Sequence, residues 1–322
     1  MTPTPRRTAL ITGIAGQDGS YLAELLLEHG YRVTGIVRPG TSTDRIAEIL
    51  DRLELRSADL LDEAEIIGLL ESVQPDEVYN LAGHSFVPTW SDRPDVDGDV
   101  TTLAASRLLA AIKEVDPAIR FYQASSSEIF GNAREEPQSE LTPPNPRNAY
   151  GAAKVAAHVT TRDARDRLGL FAVSGILYNH ESPRRRLEFV SRKISDGVAR
   201  IALGMTDTIP IGSLDAERDW GFAGDYVRAM WLMLQHDSPT DYVIATGLPH
   251  TVRDMCRIAF DRAGLDYERH VAVDPSLVRP PDAVRLIGDS TKAHRCLGWH
   301  PEVSFEQLIA MMVDADLERL RA

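Results

Sequence analysis

The feature that most restricts this chain is a glycine triplet placed immediately after its first apolar run. Thr8–Thr12 (TALIT) leads without a gap into Gly13-Ile-Ala-Gly16-Gln-Asp-Gly19, and then into the amphipathic stretch Ser20–His29. The apolar run has the length of a buried strand, and the stretch after the glycines has helical spacing. Glycines at that junction permit a tight turn and bring the helix close against the strand. The same alternation continues. Arg32–Val37, Glu77–Ala82 and Arg120–Ala124 read as buried parallel strands, with helical patterns over Glu63–Val73 and Leu103–Val115 between them. Phe171–Leu177 reads as a further strand, after a long helix that starts near Tyr150. Strands and helices in turn predict an α/β fold: a Rossmann-like, doubly wound parallel sheet with right-handed crossovers.

After Asn179 the pattern changes. Pro183–Arg186 is a Pro/Arg loop, followed by a helical segment from Phe189 to Leu203 and another beginning near Asp219 and ending at Leu234. Asp241–Thr246 reads as a strand that returns to the main sheet. Thr251–Ala263 and Phe305–Leu320 are amphipathic helices, separated by a Pro-rich stretch around Arg279–Pro281. The expected organisation is a cofactor-binding domain over residues 1–178, rejoined by about 219–248. Residues 179–218 and 249–322 then form a smaller α/β C-terminal substrate-binding lobe.

Charge and composition remove several alternatives. A formal net charge of −13 argues against nucleic acid or an anionic membrane as the main partner. No apolar run approaches the roughly 18 residues that a membrane span needs. Pro3, Pro5, Arg6 and Arg7 lead straight into the first strand, with no secretory pattern, so a cytoplasmic protein is expected. Cys256 and Cys296 lack metal-ligand spacing and sit in apolar stretches; two buried, reduced thiols and no metal site are expected.

The glycine spacing, followed by a helix N-terminus that offers free N–H groups, suits a dinucleotide pyrophosphate. Gly13, Gly16, Gln17, Asp18 and Gly19 are the expected contacts. The second strand ends at Val37-Arg38-Pro39, where an NAD site would usually place an acidic residue for the ribose. A guanidinium there, with Arg45 nearby, suits a 2′-phosphate, so NADP is expected ahead of NAD. Asp59, with Leu60 beside it, is placed against the adenine, and Leu81 and Ala82 line the cleft at the end of their strand.

Tyr150-Gly-Ala-Ala-Lys154 sets a phenol and an ammonium four apart on one helix face. A Tyr at its ordinary pKa is a poor base, and a neighbouring cation favours its phenolate. Some 25 positions upstream, a strand end reads Gln123-Ala-Ser-Ser126-Ser-Glu128-Ile-Phe-Gly131. Ser126 is the hydroxyl chosen to share the substrate oxygen with Tyr150. Glu128 says more. Oxidation at one carbon needs no second acid/base, whereas eliminating water beside it does; the alternative is a carboxylate that caps the next turn.

Beyond these motifs, the segments ALITGIAGQDGSYLAELLLEHGY, PDEVYNLAGHSFV, FYQASSSEIFG, YGAAK, GILYNHESPRRR, ERDWGFAGDYVRAMWLMLQ and DYVIATG extend over nearly the whole chain. They resemble the GDP-mannose 4,6-dehydratase family of extended short-chain dehydrogenases/reductases. The resemblance puts Ser126 in the place of the family's Thr and matches Glu128, Tyr150 and Lys154 directly. It implies a nucleotide-sugar site built from Asn179, Arg185, Lys193, Arg218 and Arg279, with His84, Ser85, Glu181 and Asp282 beside it, and a homodimer or homotetramer. The implied reaction oxidises C4 of a GDP-sugar, eliminates water across C5–C6 and returns hydride to C6. The chain departs from the family pattern at Gly83-His84, in the segment before Tyr150 (Pro-Asn-Pro-Arg-Asn-Ala), at Arg186 and at Asp282, and it lacks the second Arg after Arg38. These departures lie near the sugar more than near the chemistry. A C4 epimerase or 4-keto reductase of GDP-hexoses or heptoses, and a catalytically idle NADP-binding regulator, remain alternatives at this point.

Overall fold

The computed structural model of the chain describes residues 6–83, 94–278 and 284–321, with only the backbone over 94–100. His84, Ser85, Arg279 and Asp282 therefore lie outside the described residues.

Seven strands form one parallel sheet: β1 (Thr8–Thr12), β2 (Arg32–Ile36), β3 (Leu53–Arg56), β4 (Glu77–Asn80), β5 (Arg120–Ser126), β6 (Ala172–Leu177) and β10 (Tyr242–Ile244). Their order is β10-β6-β5-β4-β1-β2-β3, and every neighbouring pair is parallel. The chain winds outward in both directions from β1 and β4. That reversal opens a crevice at the carboxyl ends of these two strands, the place where such sheets bind ligands.

Helices α1 (Gln17–Glu28) and α6 (Ala223–Gln235) cover one face, with Leu22, Leu26, Met230 and Met233 fully buried beneath them. On the other face, α2 (Glu63–Val73), α3 (Pro94–Val115) and α4 (Ala149–Leu168) bury Leu70, Leu108 and Ile112 against Val78 and Phe121. Each such side chain withdrawn from water contributes about 1.5–3 kcal/mol, which explains why these strands read as nearly unbroken apolar runs.

Two small sheets build the second lobe. β7 (Asn179–Glu181), β9 (Glu217–Phe222) and β11 (Pro249–Thr251) lie in the order β11-β9-β7, and β8 (Ile209–Ile211) pairs with β12 (Val271–Val273). Helices α5 (Val190–Ala202), α7 (Val252–Arg262) and α10 (Phe305–Arg321) pack around Ile194, Met255, Phe260, Leu308 and Met312; α8 (Tyr267–His270) is a single turn. β7 leaves the main sheet directly after β6, so the last strands of the large domain carry the chain straight into the lobe.

Three expectations are corrected. The helix expected from Asp219 begins at Ala223, because residues 217–222 form β9. Helical spacing from Tyr226 onward does not extend back: Asp219 instead accepts from Thr246 N (2.9 Å) and Gly247 N (2.8 Å), which pins it as a strand residue. Second, Cys256 is buried as expected, its thiol pushed up to about 12 by burial, but Cys296 is exposed on α9 (Thr291–Leu297). Third, that part of the expected lobe returns to the large domain. Ala293 and Trp299 enter the core beneath α6, where Trp299 Nε1 donates to Asp225 O at 2.7 Å.

Candidate active site

The glycine turn passes directly under the ends of β1 and β4. Gly13 has φ +71°, and a Cβ there would stand 3.0 Å from Ala82 N. A Cβ on Gly19 would lie 2.3 Å from Gly13 O, so only glycine lets α1 start this close to the turn. Thr12 ties the two strands together, its Oγ1 accepting from Leu81 N (3.1 Å) and Ala82 N (3.0 Å) while donating to Asn80 Oδ1 (2.8 Å). The backbone surface so exposed, with the α1 N-terminus behind it, fits a dinucleotide. Further in, Lys154, Thr101 and Gly83 come together: a Cβ on Gly83 would be 3.6 Å from Thr101 Oγ1 and 3.9 Å from Lys154 Nζ. Thr101 Oγ1 and Ser125 Oγ are buried without hydrogen-bond partners, the polar groups a ribose hydroxyl would satisfy.

Gln17 and Asp18, expected at the cofactor, turn their side chains to β7. Gln17 Nε2 donates to His180 O (3.1 Å) and its Oε1 accepts from Ser182 Oγ (2.8 Å). Asp18 Oδ2 lies 2.9 Å from His180 Nε2, and the other ring nitrogen lies 2.7 Å from Tyr178 O. Both nitrogens face acceptors, which favours the protonated ring. Although burial opposes it, the charge of His180 brings Asp18 down to about 2, and Asp18 raises His180 in return. This partly buried pair fastens the glycine turn to the second lobe.

The Pro/Arg loop closes over the same region. Arg45 Nε donates to Arg184 O at 2.7 Å, and Arg184 pairs with Glu24 on α1 at 2.6 Å. Burial, together with Arg186, Arg192 and Arg184, lowers the pKa of Arg45, the mark of a crowded cationic patch. Glu181 is buried and engaged on Arg185 (3.0 Å) and Ser191 (2.6 Å), so its carboxylate positions Arg185. Arg192 donates to Pro183 O and to Arg185 O (2.8 Å) while pairing with Asp316 at 2.6 Å, so α10 steadies the loop from behind. Asn179 opens β7, Arg218 lies on β9 and Lys193 on α5, all half-buried. Arg38 is exposed just past β2, and Asp59, also exposed, accepts from Leu61 N at 2.9 Å beside buried Leu60.

Ser126 ends β5, Glu128 lies in the single 3-10 turn Ser127–Ile129, and Tyr150 and Lys154 lie in the first turns of α4. Ser126 Oγ accepts from Glu128 N at 3.2 Å. A Cβ on Gly151 would stand 2.5 Å from Glu128 O, so α4 is pressed against the Glu128 turn. Burial pushes the Tyr150 phenol up to about 12, opposed by its hydrogen bond with Ser126 and reinforced by the charge of Glu128. Burial pulls Lys154 down to about 8, while its Nζ donates to Ala124 O at 2.8 Å. Glu128 is held differently, by Arg147 Nη2 at 3.2 Å and Asn148 Nδ2 at 2.9 Å. A hydroxyl, a phenol, an ammonium and a carboxylate thus meet at the crevice of the sheet, a set able to exchange protons at two neighbouring carbons of one substrate.

The family pattern described as GDP-mannose 4,6 dehydratase matches residues 10–312. The chain belongs to that family. GDP-mannose 4,6 dehydratase 1 of Arabidopsis thaliana is 47% identical over 98% of this chain and 91% of its own length. The human GDP-mannose 4,6 dehydratase is 45% identical, covering 98% and 93%. The enzyme of Sinorhizobium fredii is 42% identical over 99% of both chains. Among solved structures, UDP-glucose 4-epimerase from Thermus thermophilus, in complex with NAD, aligns with a TM-score of 0.83 at 26% identity over 96% of this chain and 98% of that one. UDP-glucose 4-epimerase from Thermotoga maritima, with UDP-glucose, reaches a TM-score of 0.88 at 23% identity over 97% and 99%, a likeness of fold.

In this member of the GDP-mannose 4,6-dehydratase family, the structure brings together Ser126, Glu128, Tyr150 and Lys154, and sets the glycine turn, Leu81 and Ala82 beside them. Sequence reasoning missed Arg147 and Asn148 as partners of Glu128, His180 as partner of Asp18, and Arg184 as partner of Arg45. Asn148 carried a signal, since an Asn before a helical run is a preferred N-cap. Arg147 lies 19 positions from Glu128 and the remaining two pairs are separated by 162 and 139 positions, with no local signature.

Proposed function

We propose that this protein is a hydro-lyase that converts GDP-mannose to GDP-4-keto-6-deoxymannose with NADP as its resident cofactor. The observation that carries the reading is the placement of Glu128 against the first turn of α4, where a carboxylate stands beside the Ser126–Tyr150 pair. A C4 oxidation alone has no use for that carboxylate; a C5–C6 elimination does. NADP ahead of NAD follows from Arg38 after β2 and from the cationic patch of Arg45, Arg184 and Arg186 next to the glycine turn. When bound, the nicotinamide would take up hydride from C4 and return it at C6.

The protein's own groups handle the protons. Tyr150, aided by Ser126 and by the Lys154 charge, takes the proton of the C4 hydroxyl. The resulting 4-ketone acidifies C5, and Glu128 removes that proton. The C5 electron pair forms the C5–C6 double bond as the C6–O bond breaks, and the proton on Glu128 joins the departing hydroxide as water. The remaining proton returns to C5 when C6 is reduced, so the balance is the loss of one water and no net redox change. Arg185, Lys193, Arg218 and Asn179 surround the place for the nucleotide, Arg279 being assigned there from sequence. A homodimer or homotetramer and a cytoplasmic location are retained from the sequence.

The test is incubation of the purified protein with GDP-mannose and catalytic NADP⁺, followed by mass spectrometry. The expected product is lighter by one water, with no build-up of NADPH. Unchanged mass with inversion at C4, or stoichiometric NADPH consumption with a 4-keto sugar, would replace this reading by an epimerase or a reductase.

A further inference from the structure

The two oxygens of Glu128 go to two different donors. Arg147 Nη2 reaches Oε1 at 3.2 Å, and Asn148 Nδ2 reaches Oε2 at 2.9 Å. The Asn148 amide has no freedom to flip, because its Oδ1 caps α4 by accepting from Gly151 N at 2.7 Å. Its NH₂ end is therefore the end that meets Glu128. A guanidinium carries donors and no acceptor, so on this side the carboxylate meets N–H groups only. The arrangement is also tied to the phenol. Asn148 begins the helix that carries Tyr150, and Gly151 packs on the carbonyl of Glu128 itself.

We propose that Arg147 and Asn148 are positioning residues for the acid/base group: they hold Glu128 as an aimed carboxylate and direct the proton it gains toward the departing C6 oxygen. The inference rests on Glu128 performing the elimination. In the ionised state both oxygens are satisfied by the clamp. Once the C5–H bond breaks and the proton forms an O–H bond on Glu128, neither clamp residue offers a lone pair to receive it. The proton is then turned toward the substrate, where the C6–O bond breaks and water leaves. The same donors restore the carboxylate for the next turnover. Of the other titratable groups nearby, Tyr150 feels the charge of Glu128, and Arg185 and Asp18 act on Tyr150 as well.

The experiment follows deuterium entering C5 of GDP-4-keto-6-deoxymannose in D₂O by NMR, using the NADP⁺-loaded protein, alongside steady-state dehydration. C5 exchange reads the carboxylate without any hydride transfer. Asn148→Asp preserves the cap but replaces a donor with an acceptor, and Arg147→Met removes the other donor. Losing one charge-assisted hydrogen bond in the transition state is expected to slow exchange and kcat together by roughly 10- to 100-fold, with KM little changed. Arg147→Lys, which restores a donor cation, is expected to recover most of the rate. If Asn148→Asp and Arg147→Met exchange C5 at the parent rate while Glu128→Gln does not, the clamp is overturned and the role of Glu128 stands. If Glu128→Gln itself exchanges at the parent rate, the dehydratase role of Glu128 falls and the clamp falls with it.

Discussion

Tyr150 and Glu128 stand close together at the first turn of α4, yet the structure prepares them for proton transfer in different ways. Tyr150 and Lys154 are buried, and burial is the main cause of both shifts, the phenol up to about 12 and the ammonium down to about 8. Glu128 keeps 19% of its side chain exposed and is governed by two direct donors. The difference is chemically reasonable. The Tyr–Lys pair needs a further positive charge before it works as a base, so in its resting state the buried phenol keeps its proton. Glu128 works as a base from the outset, so its ionised form is held ready by hydrogen bonds.

The sharpest way to separate the two halves is to remove each in turn. Tyr150→Phe and Glu128→Gln are each expected to lower dehydration by about 10²- to 10⁴-fold, the usual worth of a positioned acid or base. They should differ in what accumulates. Tyr150→Phe stops before C4 is oxidised, whereas Glu128→Gln still binds cofactor and still oxidises C4, leaving a 4-keto hexose on the protein in a single-turnover experiment. Identical behaviour of the two variants would break the comparison.

The buried half should also show itself in stability against pH. Lys154 binds its proton more weakly in the folded chain than its ordinary 10.5, so a charged Lys154 opposes folding at neutral pH. Stability is therefore expected to rise between about pH 8 and 10.5, where the unfolded chain alone retains that proton, and to fall between 10 and about 12 as the unfolded chain alone loses the Tyr150 proton. Lys154→Met should abolish the rise and be more stable than the parent at pH 7 by up to about 3 kcal/mol, while losing activity. Denaturant melts across that pH range check both statements.

Asp18→Asn sharpens the comparison, because the Asp18 charge acts on both Tyr150 and Lys154. Asp18 is lowered from 3.8 to about 2, so its contribution is complete above pH 4 and disappears as pH falls toward 2. His180 is raised above its ordinary 6.5, so its contribution is complete below that value and fades as pH rises through its folded value. The pair therefore stabilises most between about pH 4 and 6.5, and the Asn variant is expected to lose about 2 kcal/mol there, with the difference shrinking toward pH 2. The smallest expected effect is that of salt. The Glu128–Arg147 pair, with 19% and 18% of its side chains exposed, should weaken by less than about 1 kcal/mol in high salt, visible as a modest fall in kcat, and the Asp18–His180 pair, with 23% and 11% exposed, by a similar amount.

Much of this molecule was legible in one dimension, for a physical reason. The strand–glycine–helix junction, the strand and helix alternation and the Tyr150/Lys154 spacing depend on backbone conformation and helix periodicity, which act over a few residues. The corrected helix at Asp219 shows where that reach ends: a long-range contact, from Thr246 and Gly247 to the Asp219 carboxylate, decided a strand in place of a helix. Cys296 teaches the same on a smaller scale, since an apolar neighbourhood in sequence does not say which side of a short helix faces water. By itself, then, the sequence determined the sheet, the glycine turn and the residue types that can do the chemistry. Only the tertiary structure decided that Asn148 points its amide at Glu128, that His180 closes on Asp18 from the other lobe, and that Glu181 serves Arg185. Those outcomes depend on which distant donors and acceptors are buried together, because a buried polar group must find its partner wherever packing has placed one.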